Sequence, residues 1–256
     1  MSSRRRYMIT GLLALMVLMG AGRVHTAADR GLFKGIDRFY GDTDGQHLFM
    51  EGANLEYFQG KTHLRFKAAE IREKPDGTRE IIFQHDVVLT HEDLRVTGDR
   101  FCFDTKLESG AFTGHVVLER EESRDDQGEV VKEWIRLVCG HLYLQTKEKA
   151  FVATEAPRIE HADFSGNGET ISYRDDEEKL TISGGFHLLM DEDELFGEEI
   201  CFDLKQKTFE ARRGATPLEM RIELEEKEAA PPDGAEVGAN ERRGEQAENG
   251  GLDDGG

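Results

Sequence analysis

Between roughly residues 30 and 227 the chain alternates apolar and polar residues with a period of two, not 3.6. Arg100-Phe101-Cys102-Phe103-Asp104 and Glu199-Ile200-Cys201-Phe202-Asp203 alternate cleanly. His141-Leu142-Tyr143-Leu144-Gln145 and Thr170-Ile171-Ser172-Tyr173-Arg174 do so less strictly. Alternation over such short windows is the mark of strands with one buried face, because successive side chains of a strand leave opposite sides of the sheet. Pro75-Asp76-Gly77, Asp126-Gln127-Gly128 and the Gly166-Asn167-Gly168 cluster read as turns between strands. No capped segment of helical period appears in this region. The body is predicted to be all-β.

The alternation also repeats. Gly98-Asp99-Arg100-Phe101-Cys102-Phe103-Asp104, with Phe112 and Gly114 after it, matches Gly197-Glu198-Glu199-Ile200-Cys201-Phe202-Asp203, with Phe209 and Gly214 after it. Weaker copies start at Gly140 and Gly168, and a degenerate one at Gly52. Each copy reads as a Gly-led turn, a strand, a polar turn and a second strand, so the pattern predicts a hairpin repeated about five times. A lone hairpin is marginal in water, whereas stacked hairpins make a long sheet that folds over so that two apolar faces meet. If those faces part instead of closing, the strip between them is an apolar groove suited to an acyl chain. The alternative is an exported structural β-solenoid, a scaffold with a closed core and no ligand.

The two ends differ from this body. Tyr7 to Gly22 is an uncharged apolar run directly after Arg4-Arg5-Arg6. A basic flank before an apolar run predicts a targeting element: a signal peptide cleaved near Gly20-Ala21-Gly22 or Thr26-Ala27-Ala28, or a short uncleaved anchor. Either form keeps the arginines cytoplasmic and sends the rest of the chain outside. Residues 1–28 are therefore set apart as signal peptide or membrane anchor, and 29–227 as the β-domain. From Glu228 onward eight acids accompany only Arg242 and Arg243, with almost nothing apolar. That composition predicts a disordered acidic tail over 228–256.

Charge and chemistry narrow the function. With 52 Asp and Glu against 33 Lys and Arg, the formal net charge is -19. No basic stripe is available to displace counterions from nucleic acid or to hold the folded part on an anionic membrane surface. There is no nucleophile elbow, no zinc-protease helix motif and no glycine-rich phosphate loop, so the chain reads as non-catalytic, with no cofactor and no metal. The nine His are scattered without ligand spacing, and Asp191-Glu192-Asp193-Glu194 reads as a solvated hairpin turn rather than a calcium loop. Trp134 reads as part of the strand Glu133–Leu137, and the odd count of three Cys does not suggest a disulfide framework.

The units Asp86-Val87-Val88-Leu89, Gly98 to Asp104 and Gly114-His115-Val116-Val117-Leu118, with the stretch Ala156 to Gly168, resemble the OstA-like periplasmic lipopolysaccharide-transport family of the LptA and LptC types. The resemblance spans about residues 45 to 215. It implies a twisted open jelly-roll, or β-taco, whose apolar interior carries lipid acyl chains across the periplasm during outer-membrane biogenesis. It also implies partners: lipopolysaccharide or a similar glycolipid, other OstA-like β-domains joined edge to edge, and an inner-membrane export transporter. The LptC type keeps its N-terminal run as an inner-membrane anchor, here residues 7–22, and the LptA type is soluble after cleavage. Carried onto this chain, the lipid-facing positions are Phe101, Phe103, Phe112, Leu142, Leu144, Phe151, Ile171, Tyr173, Ile182, Ile200, Phe202 and Phe209.

Overall fold

The computed structural model describes residues 31–222 except for positions 92, 106, 129, 133, 146–147, 175, 205 and 207. The apolar run at 7–22 and the acidic segment at 228–256 lie outside the described residues. Within them every regular element is a β-strand, and no helix is long and apolar enough to cross a membrane.

One antiparallel sheet of 16 strands runs along the chain in near-sequential order. It begins with the short strands β1 (Leu32–Lys34) and β2 (Arg38–Gly41). Long strands follow: β3 (His47–Gln59), β4 (Thr62–Glu73), β5 (Arg79–His91), β6 (Leu94–Asp104) and β7 (Ser109–Arg120). A small separate hairpin, β8 (Ser123–Arg124) with β9 (Val130–Lys132), precedes β10 (Ile135–Gln145). Four short strands come next: β11 (Ala150–Thr154), β12 (Arg158–His161), β13 (Ser165–Asn167) and β14 (Thr170–Arg174). The sheet ends with β15 (Lys179–Met190), β16 (Asp193–Asp203), β17 (Thr208–Arg212) and β18 (Glu219–Arg221).

A crease runs across the middle of all the long strands, where each register shifts. It divides the sheet into two halves. Half A holds β2, β11, β14 and β17 with one part of each long strand, such as 79–84 of β5 and 100–104 of β6. Half B holds β1, β12, β13 and β18 with the other parts, such as 87–91 of β5 and 94–97 of β6. The halves fold onto each other: Tyr57 of half B lies 5.7 Å, ring to ring, from Phe83 of half A.

The crease has a counting rule. A strand running from half B to half A moves three positions between inward residues, from Phe66 to Ala69, Gly98 to Phe101 and Cys139 to Leu142. Of the strands running back, β5, β7 and β15 move four, from Phe83 to Val87, Phe112 to Val116 and Ile182 to Phe186, and β3 moves five, from Met50 to Leu55. The four-residue corners place two consecutive residues in the left-handed region: His85-Asp86 (φ 65° and 55°), Gly114-His115 (76° and 48°), and Gly184-Gly185 (78° and 80°). Glu155-Ala156 (63° and 58°) makes the same corner between β11 and β12. Bulges of this kind bend a strand sharply without ending its pairing.

The crease corrects three sequence expectations. The glycines that head the repeats are not turns: Gly52, Gly98, Gly140 and Gly197 sit inside long strands, where pairing continues on both sides. Gly166 and Asn167, expected in a turn, belong to β13, and only Gly168 lies outside a strand. Trp134 precedes β10 instead of filling it and is well exposed. The turns at 75–77 and 126–128 stand where the residues predicted them, and the turn expected over 191–194 is made by Asp191 and Glu192, with Asp193 and Glu194 opening β16.

The candidate ligand-carrying interior

Cross-strand partners share a face, so the inward side of each half can be read from the register. On half A, Phe83, Phe101 and Phe112 stand opposite one another on β5, β6 and β7 and form an aromatic ladder. Phe101 stacks on Phe112 at 4.2 Å and on Phe83 at 5.9 Å. Phe66, at the crease of β4, meets Phe83 edge-on at 4.9 Å. Farther along, Leu142, Phe151, Tyr173, Leu180 and Phe202 continue the same inward layer, and Phe151 stacks with Tyr173 at 5.8 Å. Half B supplies Leu64, Leu89, Val96, Leu118, Leu137, Ile159 and Leu188 opposite them.

Nine of the twelve expected lipid-facing residues are buried in this interior: Phe101, Phe112, Leu142, Phe151, Ile171, Tyr173, Ile182, Ile200 and Phe202. Phe103 and Leu144 pack against it from nearer the margin. Phe209 is 47% exposed. It pairs in register with Phe202 and lies 5.9 Å from that ring, so it shares the inward face but sits on the last strand of half A. The structure thus brings all twelve onto one side of the folded sheet. It also shows the two halves touching through their side chains. Phe164, just before β13, stacks on Phe202 at 5.0 Å and ties the margins together on that side.

The interior runs out to both ends of the sheet. β1 and β2 pair only with β3, and β17 and β18 only with β16, so each end presents an unpaired strand edge among the described residues. Phe39 on β2 pairs with buried Met50, and Met220 on β18 pairs with buried Leu195. Both are more than half exposed, as the inward face has no further strand beyond them. Leu32 and Ile36 at one end, and Leu218 and Ile222 at the other, are exposed as well.

Phe66, Phe83 and Phe164 are part of this interior and escaped the sequence reading. Phe66 and Phe83 obeyed the alternation (Thr62-Leu64-Phe66 and Ile81-Phe83 are in phase), but Phe66 closes the most degenerate copy of the repeat and Phe83 lies between that copy and the next. Phe164 has no periodic signal, since it sits in the connection between two short strands.

The buried polar or charged residues among those described are Thr62, His91, Ser109 and Arg120. A depression of about 210 Å³ on the outer face near the first edge is lined by Tyr40, Phe49, Glu51, Glu70, Gln84 and His85 among others. Among the described residues no three His, Cys, Asp or Glu side chains stand close enough to hold one metal ion. The three cysteines are free thiols. Burial, reinforced by Glu80, pushes the Cys102 thiol up to about 11, and burial does the same at Cys139. Thiolate is the reactive form, so alkylation of native protein with iodoacetamide should be slow at pH 8 and accelerate towards pH 11. The unfolded chain should react at ordinary thiol pH. Because the unfolded thiols ionise first, stability should fall as pH climbs from the normal thiol range towards 11. Mass spectrometry of pulse-alkylated protein checks both, and rapid native labelling at pH 8 would contradict the burial.

No family model matches the chain, and no curated protein matches it. Among solved structures it is similar to that of LptH, described as the LptA homologous periplasmic component of the conserved lipopolysaccharide transport device from Pseudomonas aeruginosa. The identity is 12%, the match covers 77% of this chain and 96% of that one, and the TM-score is 0.24. At that score the likeness is too loose to support an inference about fold or function.

Proposed function

We propose that this chain is a periplasmic, non-catalytic component of lipopolysaccharide transport. It holds acyl chains between the two halves of its creased sheet and passes them to like domains joined edge to edge. One observation carries the reading: the apolar inward face reaches two unpaired strand edges, where Phe39, Phe209 and Met220 stay exposed on it. An exposed strand edge is a template for another strand. An added domain would extend the sheet and cover these side chains in the same step, giving a continuous apolar path. The resemblance of the repeat to OstA-like proteins supplies the lipid, the periplasm and an inner-membrane export transporter as the source.

Loading requires the halves to part, since the inner side chains occupy the space an acyl chain would take. No disulfide ties them, and the contact between Phe164 and Phe202 is a ring stack that can separate. Photo-crosslinking in cells that make lipopolysaccharide tests this. A photoreactive residue at Phe103 or Phe202 should give a lipid adduct, and one at the outward Tyr143 should not. The second reading, a scaffold with a permanently closed core, is favoured by the contacts already made across the interior. It predicts no adduct at any inward position.

A further inference from the structure

A stack of three rings joins the two halves of the sheet on the side away from the crease. Phe164 lies between His161 of β12, at 5.1 Å, and Phe202 of β16, at 5.0 Å. His161 and Phe164 face each other across a two-residue turn, Ala162-Asp163, closed by the His161 N–H donating to the Phe164 carbonyl at 2.8 Å. His161 pairs in register with Ile135 of β10, and Ile135 with Arg120 of β7, so the imidazole ends an inward row of half B. Its side chain is 5% exposed.

The ring has one partner for each protonation state, and both belong to Asp163. Its Nδ1 accepts the Asp163 backbone N–H at 3.3 Å, which requires that nitrogen to carry no proton. The Asp163 carboxylate lies 3.8 Å from the same Nδ1 and is 41% exposed. A proton on Nδ1 turns the amide into an opposing donor and makes the carboxylate the better partner. Burial holds the pKa of the ring below the ordinary histidine range, Asp163 raises it and Arg120 lowers it. Glu160, next to the ring on β12, points outward to Arg136. A ring released into water titrates in the ordinary range. The closed arrangement is therefore fully favoured above that range and weakens as the pH falls towards the closed-state value.

We propose that His161 and Phe164 form a proton-operated latch that holds the two halves of the sheet together opposite the crease. With His161 neutral, the imidazole stays inside and seats Phe164 on Phe202. With His161 protonated, a buried charge is costly, and the imidazolium swings to the exposed Asp163 carboxylate. Phe164 then loses the ring that backs it against Phe202. The move involves two side chains and a turn, so no strand pairing has to break. Entry of an apolar molecule between the parted halves is the consequence, and this part rests on the carrier reading.

The test follows uptake of N-phenyl-1-naphthylamine, an uncharged dye that brightens in apolar surroundings. The full chain is compared at about pH 7.5 and about pH 5.5, within the span where imidazole titrates. Amide hydrogen exchange over 158–167, corrected for the intrinsic effect of pH, reads the latch itself. Wild type should take up dye about tenfold faster at the lower pH, the change in open fraction that one pKa unit gives. His161→Phe keeps a ring that cannot be protonated and should be slow at both pH values, whereas Phe164→Ala should be fast at both. Asp163→Asn keeps the amide but removes the carboxylate, and should move the transition to lower pH. Circular dichroism melts check folding, and His161→Leu stands in if His161→Phe does not fold. Exchange that quickens in acid and is restored by His161→Phe, with no dye uptake in any variant, upholds the latch and overturns the carrier reading. Dye uptake equal at the two pH values, or a pH dependence that survives in His161→Phe, overturns the latch and leaves the carrier reading standing. If neither uptake nor exchange responds, both are overturned.

Discussion

Replacing Phe112 by alanine lowers the unfolding free energy by about 3–5 kcal/mol, the usual cost of deleting a fully buried phenylalanine. Phe112 has no exposed surface and is the last rung of the ladder it shares with Phe101 and Phe83. It also fills the space over Gly98: a Cβ there would lie 3.1 Å from the Phe112 ring. The neighbouring backbone is held by strand pairing on both sides, so it cannot collapse into the hole. Each lost aromatic pair adds about 0.5–1.5 kcal/mol beyond the area term. Phe209→Ala is the contrast, at under about 1 kcal/mol, because half-exposed surface on an end strand contributes little burial. Urea unfolding followed by circular dichroism measures both. Similar losses at the two positions would mean that the interior is not packed as described.

Gly184→Val costs about 3 kcal/mol or more, through strain at positive φ together with a collision. Gly184 has φ 78°, and a Cβ there would lie 2.5 Å from the Cβ of Glu169, just before the neighbouring strand β14. A side-chain base cannot swing aside as its tip can, so the corner itself must shift. Gly185, with φ 80°, has open space where its Cβ would be. Gly185→Ala therefore carries only the left-handed penalty, about 1–2 kcal/mol. The other corners support that split, since they hold Asp86, His115 and Ala156 at the second position without glycine. At the first position, glycine appears where an acid from the neighbouring stretch of chain fills the space. Asp99 covers Gly114 as Glu169 covers Gly184. The same urea series checks this pair, and equal costs at 184 and 185 would sink the collision account.

The repeat was legible in the sequence, but its meaning was not. Gly98-Asp99-Arg100-Phe101 and Gly197-Glu198-Glu199-Ile200 look like turn-and-strand units because glycine and an acid are what turns use. They are crease corners, where glycine leaves room for neighbouring side chains (Phe112 at Gly98, Leu218 and Phe186 at Gly197) and the acid lies over Gly114 or Gly214. The same residue types serve both purposes, and only pairing on either side of the glycine separates them. Arg120 was legible in part. Val116, Leu118 and Arg120 are in phase, as are Val87, Leu89 and His91, so both polar groups fall on the inward face. A polar residue at the end of an alternating run is ordinarily a strand leaving the core, and nothing local distinguishes that from a buried row.

The sequence by itself thus determined that the body is all-β, which side chains of each strand share a face, and that the unit recurs. A period of two is a property of the backbone, and it operates within a few residues. What faces what was decided by the tertiary structure: where the sheet creases, that Phe164 closes on Phe202, that Phe209 and Phe39 end on open edges, and that Thr62, His91 and Arg120 are buried. These follow from the residue counts at the corners, summed over the long strands. No single stretch of chain contains that sum.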